Sequence, residues 1–128
     1  MKKALLLFCH GARDPNWAKP FEAVLARIRE LHPDTPVALA FLEFMSPGLI
    51  EAGHTLAAAG CDSVEVVPLF LGTGGHVRKD LPALLDTLRL AHPQMSWSVQ
   101  PSIGESPCVI AAMADAALAA MQTPQPST

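Results

Sequence analysis

Three side chains that can bind a metal ion or move a proton stand where apolar, strand-like runs end. His10 directly follows the first run, Glu43 lies near the end of the second, and His76 follows the third after a glycine-rich loop. In an open parallel sheet, ligands bind outside the carboxyl ends of the strands. Two imidazoles and a carboxylate at one such edge suit a borderline divalent ion such as cobalt, iron or nickel.

The elements that must position these side chains alternate between strand-like and helix-like patterns. The predicted strands span residues 3–9, 37–44, 63–71 and 95–100. The predicted helices span residues 16–31, 47–59, 76–91 and 106–121. This alternation predicts a single α/β domain over residues 1–122, with a four-stranded parallel sheet and helices on both faces. Right-handed crossovers favour the strand order 2-1-3-4, which makes the three strands that carry the candidate residues neighbours.

Each candidate residue also has a structural interpretation that the sequence leaves open. His10 could be a core histidine bonded to a backbone carbonyl, and His76 could cap the helix that begins near it. Glu43 interrupts an apolar run, where an ionised group is costly to bury unless it is paired. Its partner could then be Arg13 or Arg78.

A glycine-rich loop and two cations accompany the histidines. Residues 72–75 lack the spacings of dinucleotide-binding and P-loop fingerprints, so they support nucleotide binding only weakly. Gly74 and Gly75 could let a bulky planar ligand approach the backbone, or the loop could be only a flexible connection. Arg13 and Arg78 could pair with ligand carboxylates, and plain solvated charges are an equally open interpretation.

Composition argues against several classes of partner. The 128 residues carry a formal net charge of −3 with no basic face, so neither nucleic acid nor an anionic membrane is an expected partner. No apolar stretch approaches the length of a membrane span, and the run after the N-terminal lysines is short for a signal peptide. Cys9, Cys61 and Cys108 form no paired motif, and free thiols predict a cytoplasmic location.

The last predicted helix has an unusual composition. From residue 109 to residue 121 only Asp115 is charged, and alanine covers most sides. An ordinary surface helix has a clear polar face. This helix is therefore either a subunit interface or an alanine-rich segment that reflects helix propensity, and the sequence favours neither. The polar, proline-rich tail at residues 123–128 is predicted to be disordered.

Three motifs resemble those of the sirohydrochlorin cobaltochelatase and ferrochelatase family, the class II chelatases. Residues 7–15 look like the family's H-G-[SA]-R opening, with Ala12 where serine is common. Residues 41–47 are similar to its second motif and residues 67–82 to its third, so the three occur in family order. The last strand and helix match only in general pattern.

The resemblance implies a chelatase fold and the insertion of Co²⁺ or Fe²⁺ into sirohydrochlorin, a tetrapyrrole on the route to cobalamin or sirohaem. It identifies His10 and His76 as metal ligands and places an acidic residue in the cleft at Glu43. No cofactor is expected to be bound permanently, because the cobalt, iron or nickel ion is a substrate. The usual members have two such domains in one chain, whereas this sequence is the short form, so we expect a homodimer.

Two other functions stay open at this point. A carrier that delivers cobalt or nickel without catalysis would bind the ion with the same residues. The pair His10-Gly11 also suggests a phosphoryl-transfer enzyme of the histidine phosphatase type. That family expects arginine directly before the histidine, where this chain has Cys9.

Overall fold

The sheet is built around β1 (Lys3–Cys9), which pairs in parallel with a strand on each side. The computed structural model describes residues 2–72 and 74–122, and at position 76 it describes the backbone alone. The other strands are β2 (Val37–Phe41), β3 (Ser63–Pro68) and β4 (Ser96–Val99). Their order is β2-β1-β3-β4, and every pair is parallel. The predicted α/β fold and strand order are confirmed, whereas the tail predicted to be disordered lies outside the described residues.

Four α-helices alternate with the strands. They are α1 (Lys19–Leu31), α2 (Leu49–Ala58), α3 (Gly75–Ala91) and α4 (Pro107–Gln122). Two short 3-10 helices, Pro15–Ala18 and Ile103–Glu105, precede α1 and α4, so the helix predicted over residues 16–31 is divided in two. None of the helices in the described part of the chain is long and apolar enough to cross a membrane.

The central strand contributes to two apolar layers because successive side chains of a strand point to opposite faces. Leu6 and Phe8 belong to the layer that packs against α2 and α3. Leu7 and Cys9 belong to the layer that packs against α1. A strand buried on both faces reads as a continuous apolar run, which is why the sequence of β1 predicted its bounds correctly.

Two strands end three residues earlier than predicted. β2 ends at Phe41 instead of residue 44, and the chain turns at Phe44, which has a positive φ of 65°. β3 ends at Pro68 instead of residue 71. Proline has no N–H to donate to a ladder, so it stands where a strand leaves the sheet.

The start of α2 also differs from the prediction, which has a helix beginning at residue 47. The helix begins at Leu49, and Gly48 is its N-cap residue. The N–H of Phe41 donates to the carbonyl of Pro47 across 2.9 Å, so the connecting segment first folds back onto the end of β2. Only after this contact does the chain enter helical geometry.

Phe21, Leu25 and Ile28 of α1 are partly buried and pack against the sheet. No residue of α4 is buried, and none belongs to either core layer. This helix contacts the 3-10 helix Ile103–Glu105 directly ahead of it. Its large apolar side chains are exposed, namely Ile110, Met113, Leu118 and Met121. The sheet faces are therefore covered by α1 on one side and by α2 and α3 on the other.

Candidate active site at the carboxyl ends of the strands

His10 lies in the loop that leaves the central strand, and its side chain is exposed. Its ring packs on Phe70, with the ring centroids 4.0 Å apart and the planes inclined by 30°. Phe70 is 2% exposed and also contacts Phe8, at 5.7 Å between centroids. The imidazole therefore rests on the end of the hydrophobic core, which fixes its ring plane and leaves its outer side open. A core histidine, the alternative interpretation, does not fit this exposure.

The loop after His10 and the segment after β2 approach each other at backbone level. The N–H of Glu43 donates to the His10 carbonyl across 3.0 Å, and the N–H of Leu42 donates to the Cys9 carbonyl across 2.8 Å. Gly11 has a φ of +92°, and a Cβ built on it would overlap the Glu43 carbonyl oxygen. Only glycine adopts this backbone freely and leaves space for such an approach. Gly11 therefore holds the His10 and Glu43 loops at a fixed separation.

Glu43 is exposed and lies beyond the end of β2. The expectation that it is an ionised group inside an apolar strand is wrong, because the strand stops two residues earlier. Among the described residues, no ion pair joins it to Arg13 or Arg78. Its carboxylate is accessible to a ligand beside the His10 loop.

Arg13 is held on the same side by an aromatic ring. Its guanidinium carbon lies 5.0 Å from the centroid of the Phe44 ring, a cation–π contact between two exposed side chains. Such a contact contributes about 0.5–1 kcal/mol at an exposed site. The arrangement keeps a positive charge next to the Glu43 segment without neutralising it.

The third strand leads to the glycine-rich loop and α3. Gly74 is the N-cap residue, Gly75 begins the helix and His76 is its second residue. A Cβ built at Gly74 or Gly75 would meet no described atom within 4 Å, so packing within the described chain does not require glycine at either position. Arg78 is exposed one turn into the helix.

A cleft of about 290 Å³ connects this helix with Phe70. Its walls include Phe70, Val77 and Arg78, together with residues that follow β4. Since Phe70 also carries the His10 ring, the backbone at position 76 and the His10 side chain belong to the same edge of the sheet. The parallel pairing of β1 with β3 thus brings the loops after these two strands to one edge of the sheet, and a shared site for the two histidines stays a prediction.

Cys9, the residue before His10, is not a candidate metal ligand. It is completely buried, and this burial raises the pKa of its thiol to about 12. A metal ion binds the thiolate form of cysteine, which burial disfavours. Among the described side chains, which do not include that of His76, no three His, Cys, Asp or Glu groups form a metal-binding cluster.

Sequence reasoning missed the aromatic residues that support the site. Phe70 lies under His10 and Phe44 lies under Arg13, and neither has a spacing that distinguishes it from a core residue. It also missed that His54 and His92 are hydrogen bonded through Nδ1 of His54 and Nε2 of His92 at 2.7 Å. His54 lines a separate cleft of about 700 Å³ between α2 and α3.

Comparison with known proteins gives consistent matches. The family model of CbiX matches residues 4–120. Over 84 residues the chain is 39% identical to the sirohydrochlorin cobaltochelatase of Saccharolobus solfataricus, a match that covers 63% of this chain and 62% of that protein. Over 82 residues it is 33% identical to that of Methanopyrus kandleri, covering 64% of this chain and 57% of the relative. The chain thus spans about three fifths of the length of the curated relatives it matches.

Two solved structures share the fold over almost the whole chain. A cobalamin (vitamin B12) biosynthesis CbiX protein from Marinobacter aquaeolei has a TM-score of 0.83 and 28% identity, with 94% of this chain and 98% of that chain covered. The sirohydrochlorin chelatase SirB from Bacillus subtilis, in complex with cobalt, has a TM-score of 0.76 and 27% identity. That match covers 93% of this chain and 51% of SirB.

Proposed function

The chain belongs to the CbiX family, and from this membership we propose that it inserts a divalent metal ion, Co²⁺ or Fe²⁺, into sirohydrochlorin. The product would enter the route to cobalamin or sirohaem. The observation that carries the proposal is the exposed His10 ring, fixed on Phe70 at the carboxyl end of the central strand of a CbiX fold. The reaction replaces two pyrrole N–H protons by one metal ion, so it requires a metal site, a proton acceptor and a wall for the macrocycle.

His10 and His76 are the proposed metal ligands. Neutral imidazole nitrogens bind borderline divalent ions such as cobalt, iron and nickel. The ion is a substrate and must leave the protein, so a ligand set completed by water and then by the pyrrole nitrogens suits the reaction better than a closed site.

Glu43 is the proposed acceptor of the pyrrole protons. A general base must reach the proton it removes, directly or through one water molecule. The hydrogen bond from the Glu43 N–H to the His10 carbonyl supports this role, because it joins the segment of this exposed carboxylate to the loop of the proposed metal ligand. His10 or His76 could accept one of the two protons once the ion has moved to the macrocycle.

The carboxylates of sirohydrochlorin are the proposed partners of Arg13 and Arg78. Arginine binds carboxylates through paired, charge-assisted hydrogen bonds. The two cations lie on different segments of the strand-end edge, one over Phe44 and the other in the cleft beside Phe70. Gly74 and Gly75 carry no side chain toward this edge, which leaves the backbone open to a planar ligand.

A homodimer is the proposed working form. The chain matches 51% of SirB but 98% of the CbiX protein from Marinobacter aquaeolei, so one copy corresponds to about half of a longer chelatase. A second copy would supply the opposite wall for the macrocycle, and bending of the macrocycle between two walls would turn its nitrogen lone pairs toward the metal. We place the reaction in the cytoplasm, where the three free cysteines stay reduced.

The test is a spectroscopic insertion assay with sirohydrochlorin and Co²⁺, followed by the change in the tetrapyrrole absorption. His10→Ala and His76→Ala are each expected to lower kcat/KM by on the order of 100-fold, the scale at which a misplaced or missing reacting group acts. His32→Ala, at an exposed position after α1, is the matched control and should insert cobalt at the rate of the unmodified chain.

The outcomes separate the chelatase from a metal carrier. A chain that binds Co²⁺ but leaves the insertion rate at its uncatalysed value would be a carrier. Near-normal insertion by both histidine variants would refute the mechanism while leaving a chelatase activity to be explained by other residues.

A further inference from the structure

Two histidines far from the strand-end site face each other between α2 and the end of α3. Nδ1 of His54, on α2, lies 2.7 Å from Nε2 of His92, the C-cap residue of α3. The ring centroids are 5.0 Å apart and the ring planes are inclined by 68°. Position 76 is at the start of α3, and the 17 residues of this helix span about 25 Å. The histidine pair therefore lies at the opposite end of α3 from the proposed chelatase site.

The hydrophobic core anchors the backbone beneath both rings. Gly53 precedes His54 on α2, and a Cβ built on it would overlap the Leu88 side chain. The same Cβ would lie 3.1 Å from the Trp97 ring. The N–H of His92 donates to the Leu88 carbonyl across 2.9 Å. Because Leu88 and Trp97 are buried, the backbones at positions 54 and 92 are held against the same part of the core.

Each ring presents one nitrogen to the other, which suits a metal ion as well as a proton. In the hydrogen bond one neutral imidazole donates its N–H and the other accepts through a lone pair. When the donor ring carries its proton on its other nitrogen, both facing nitrogens have a free lone pair. A divalent ion can then replace the shared proton between the rings. No net proton is released, because both imidazoles stay neutral.

The change of geometry that an ion requires is small. Bonds of about 2.0–2.1 Å from the ion to each nitrogen, at an angle of about 90–110°, place the two nitrogens about 2.9–3.4 Å apart. The observed separation is 2.7 Å, so the nitrogens need to move apart by less than about 1 Å. The His54 side chain is exposed and that of His92 is partly exposed, so rotation about side-chain bonds provides this movement. The cleft of about 700 Å³ that His54 lines gives water ligands room.

We propose that His54 and His92 bind one late first-row divalent ion, Zn²⁺, Ni²⁺ or Cu²⁺, in a second metal site that joins α2 to the end of α3. Imidazole suits these ions, and affinity rises from Co²⁺ through Ni²⁺ to Cu²⁺. In the described part of the chain no third His, Cys, Asp or Glu completes a cluster with the pair, so water fills the remaining positions. The site goes beyond the proposed function, because its ion is separate from the ion that enters the tetrapyrrole.

The probe is Ni²⁺, and the reporter is the fluorescence of Trp97. Trp97 lies beside His92, with 6.3 Å between the ring centroids, and a paramagnetic ion bound to His92 quenches it. The other tryptophan of the chain, Trp17, packs in the α1 layer and is removed by Trp17→Phe in every sample. NiCl₂ is titrated between about 1 µM and 1 mM, which covers micromolar dissociation constants. Circular dichroism confirms that each variant is folded.

The variants distinguish this site from other nickel sites. His54→Ala and His92→Asn should each raise the Ni²⁺ concentration for half-maximal quenching by at least about 10-fold, since even the loss of a residue that only orients a metal ligand has this effect. His32→Ala is the matched control and should leave that concentration unchanged. His32 caps α1, on the other face of the sheet, with φ −135° and ψ 69°, close to the −132° and 68° of His92. His10→Ala should also leave it unchanged.

An ion that joins two elements should also stabilise the folded chain. In the His10→Ala variant, Ni²⁺ at about ten times its dissociation constant should raise Tm by roughly 4–7 °C. The double variant with His10→Ala and His54→Ala should lose this increase.

Three results would overturn the second site. Quenching that does not saturate below about 1 mM would mean that the pair does not hold nickel. Equal half-maximal concentrations for the parent chain, His54→Ala and His92→Asn would place the ion elsewhere. Loss of the quenching in His10→Ala would assign the ion to the strand-end site. The cobalt insertion assay decides the chelatase activity separately from all three.

Discussion

Replacing Gly11 with alanine should disturb the site more than any conservative change of a charged group in the loops around it. The Gly11 backbone has a φ of +92°, and an added Cβ would overlap the Glu43 carbonyl oxygen and lie 3.1 Å from its carbon. A left-handed backbone costs an L-residue about 1–2 kcal/mol. To reach ordinary van der Waals contact the two loops must separate by about 1 Å or more. That movement breaks the hydrogen bond from the Glu43 N–H to the His10 carbonyl, a further loss of about 1 kcal/mol.

The expected total loss is about 2–3 kcal/mol, a large share of the roughly 5–15 kcal/mol that stabilises a typical domain. Urea unfolding followed by circular dichroism measures it. The cobalt insertion rate should fall by on the order of 100-fold, because a shift of about 1 Å displaces His10 from Glu43.

Gly60→Ala is the matched control for the backbone cost alone. Gly60 has a φ of +84°, and a Cβ built there would meet nothing within 4 Å. The Gly60→Ala variant should lose only the unfolding free energy that the left-handed conformation costs, about 1–2 kcal/mol, and it should insert cobalt at the normal rate. Equal losses of stability in the two variants, with insertion unaffected in both, would refute the argument that Gly11 sets the distance between the two loops.

Three other results are expected. The unfolded chain loses the Cys9 proton near its ordinary pKa, whereas burial raises the pKa of the folded thiol to about 12. The folded state then holds more protons, so the unfolding free energy should fall by about 1.4 kcal/mol per pH unit above about pH 9, and Cys9→Ala should reduce that slope in urea titrations. Phe70→Leu and Phe8→Leu should lower stability to a similar extent, by about 1 kcal/mol, but only the former should also slow insertion, by roughly 5–10-fold, because only Phe70 contacts His10. Arg78→Gln should raise KM for sirohydrochlorin by about 10-fold with kcat nearly unchanged, and an equal fall in kcat would contradict a role in orienting the substrate.

The architecture could be predicted from the sequence because buried helices and strands have periodic patterns of apolar residues. The apolar runs of β1 to β3 and the inward positions of α3, such as Leu81, Leu85 and Leu88, mark elements that are buried in the structure. Strand order followed from the handedness of the crossovers. Family motifs then identified the residues at the strand ends, which patterns of burial alone left with several interpretations.

Local backbone geometry was not predictable in the same way. The early end of β2 depends on a turn at Phe44, and the late start of α2 depends on the hydrogen bond from Phe41 to Pro47. Neither leaves a repeating pattern in the sequence. The aromatic support of His10 was missed for a related reason, since Phe70 is buried like any core residue and contacts the histidine only through the tertiary fold. The exposure of α4 depends on which elements cover the sheet. The composition of this helix indicated that it is unusual, but it did not distinguish a subunit interface from an alanine-rich segment that reflects helix propensity.

The central claim is that His10 and His76 share one metal ion at the carboxyl edge of the sheet. A crystal structure of the chain soaked with Co²⁺, with the metal located by anomalous scattering, tests it most directly. One ion should be bound to a ring nitrogen of each residue at about 2.0–2.2 Å, the usual length of a bond from imidazole to a divalent transition metal. Cobalt held only by the surface pair of His54 and His92, with His10 unoccupied, would contradict it.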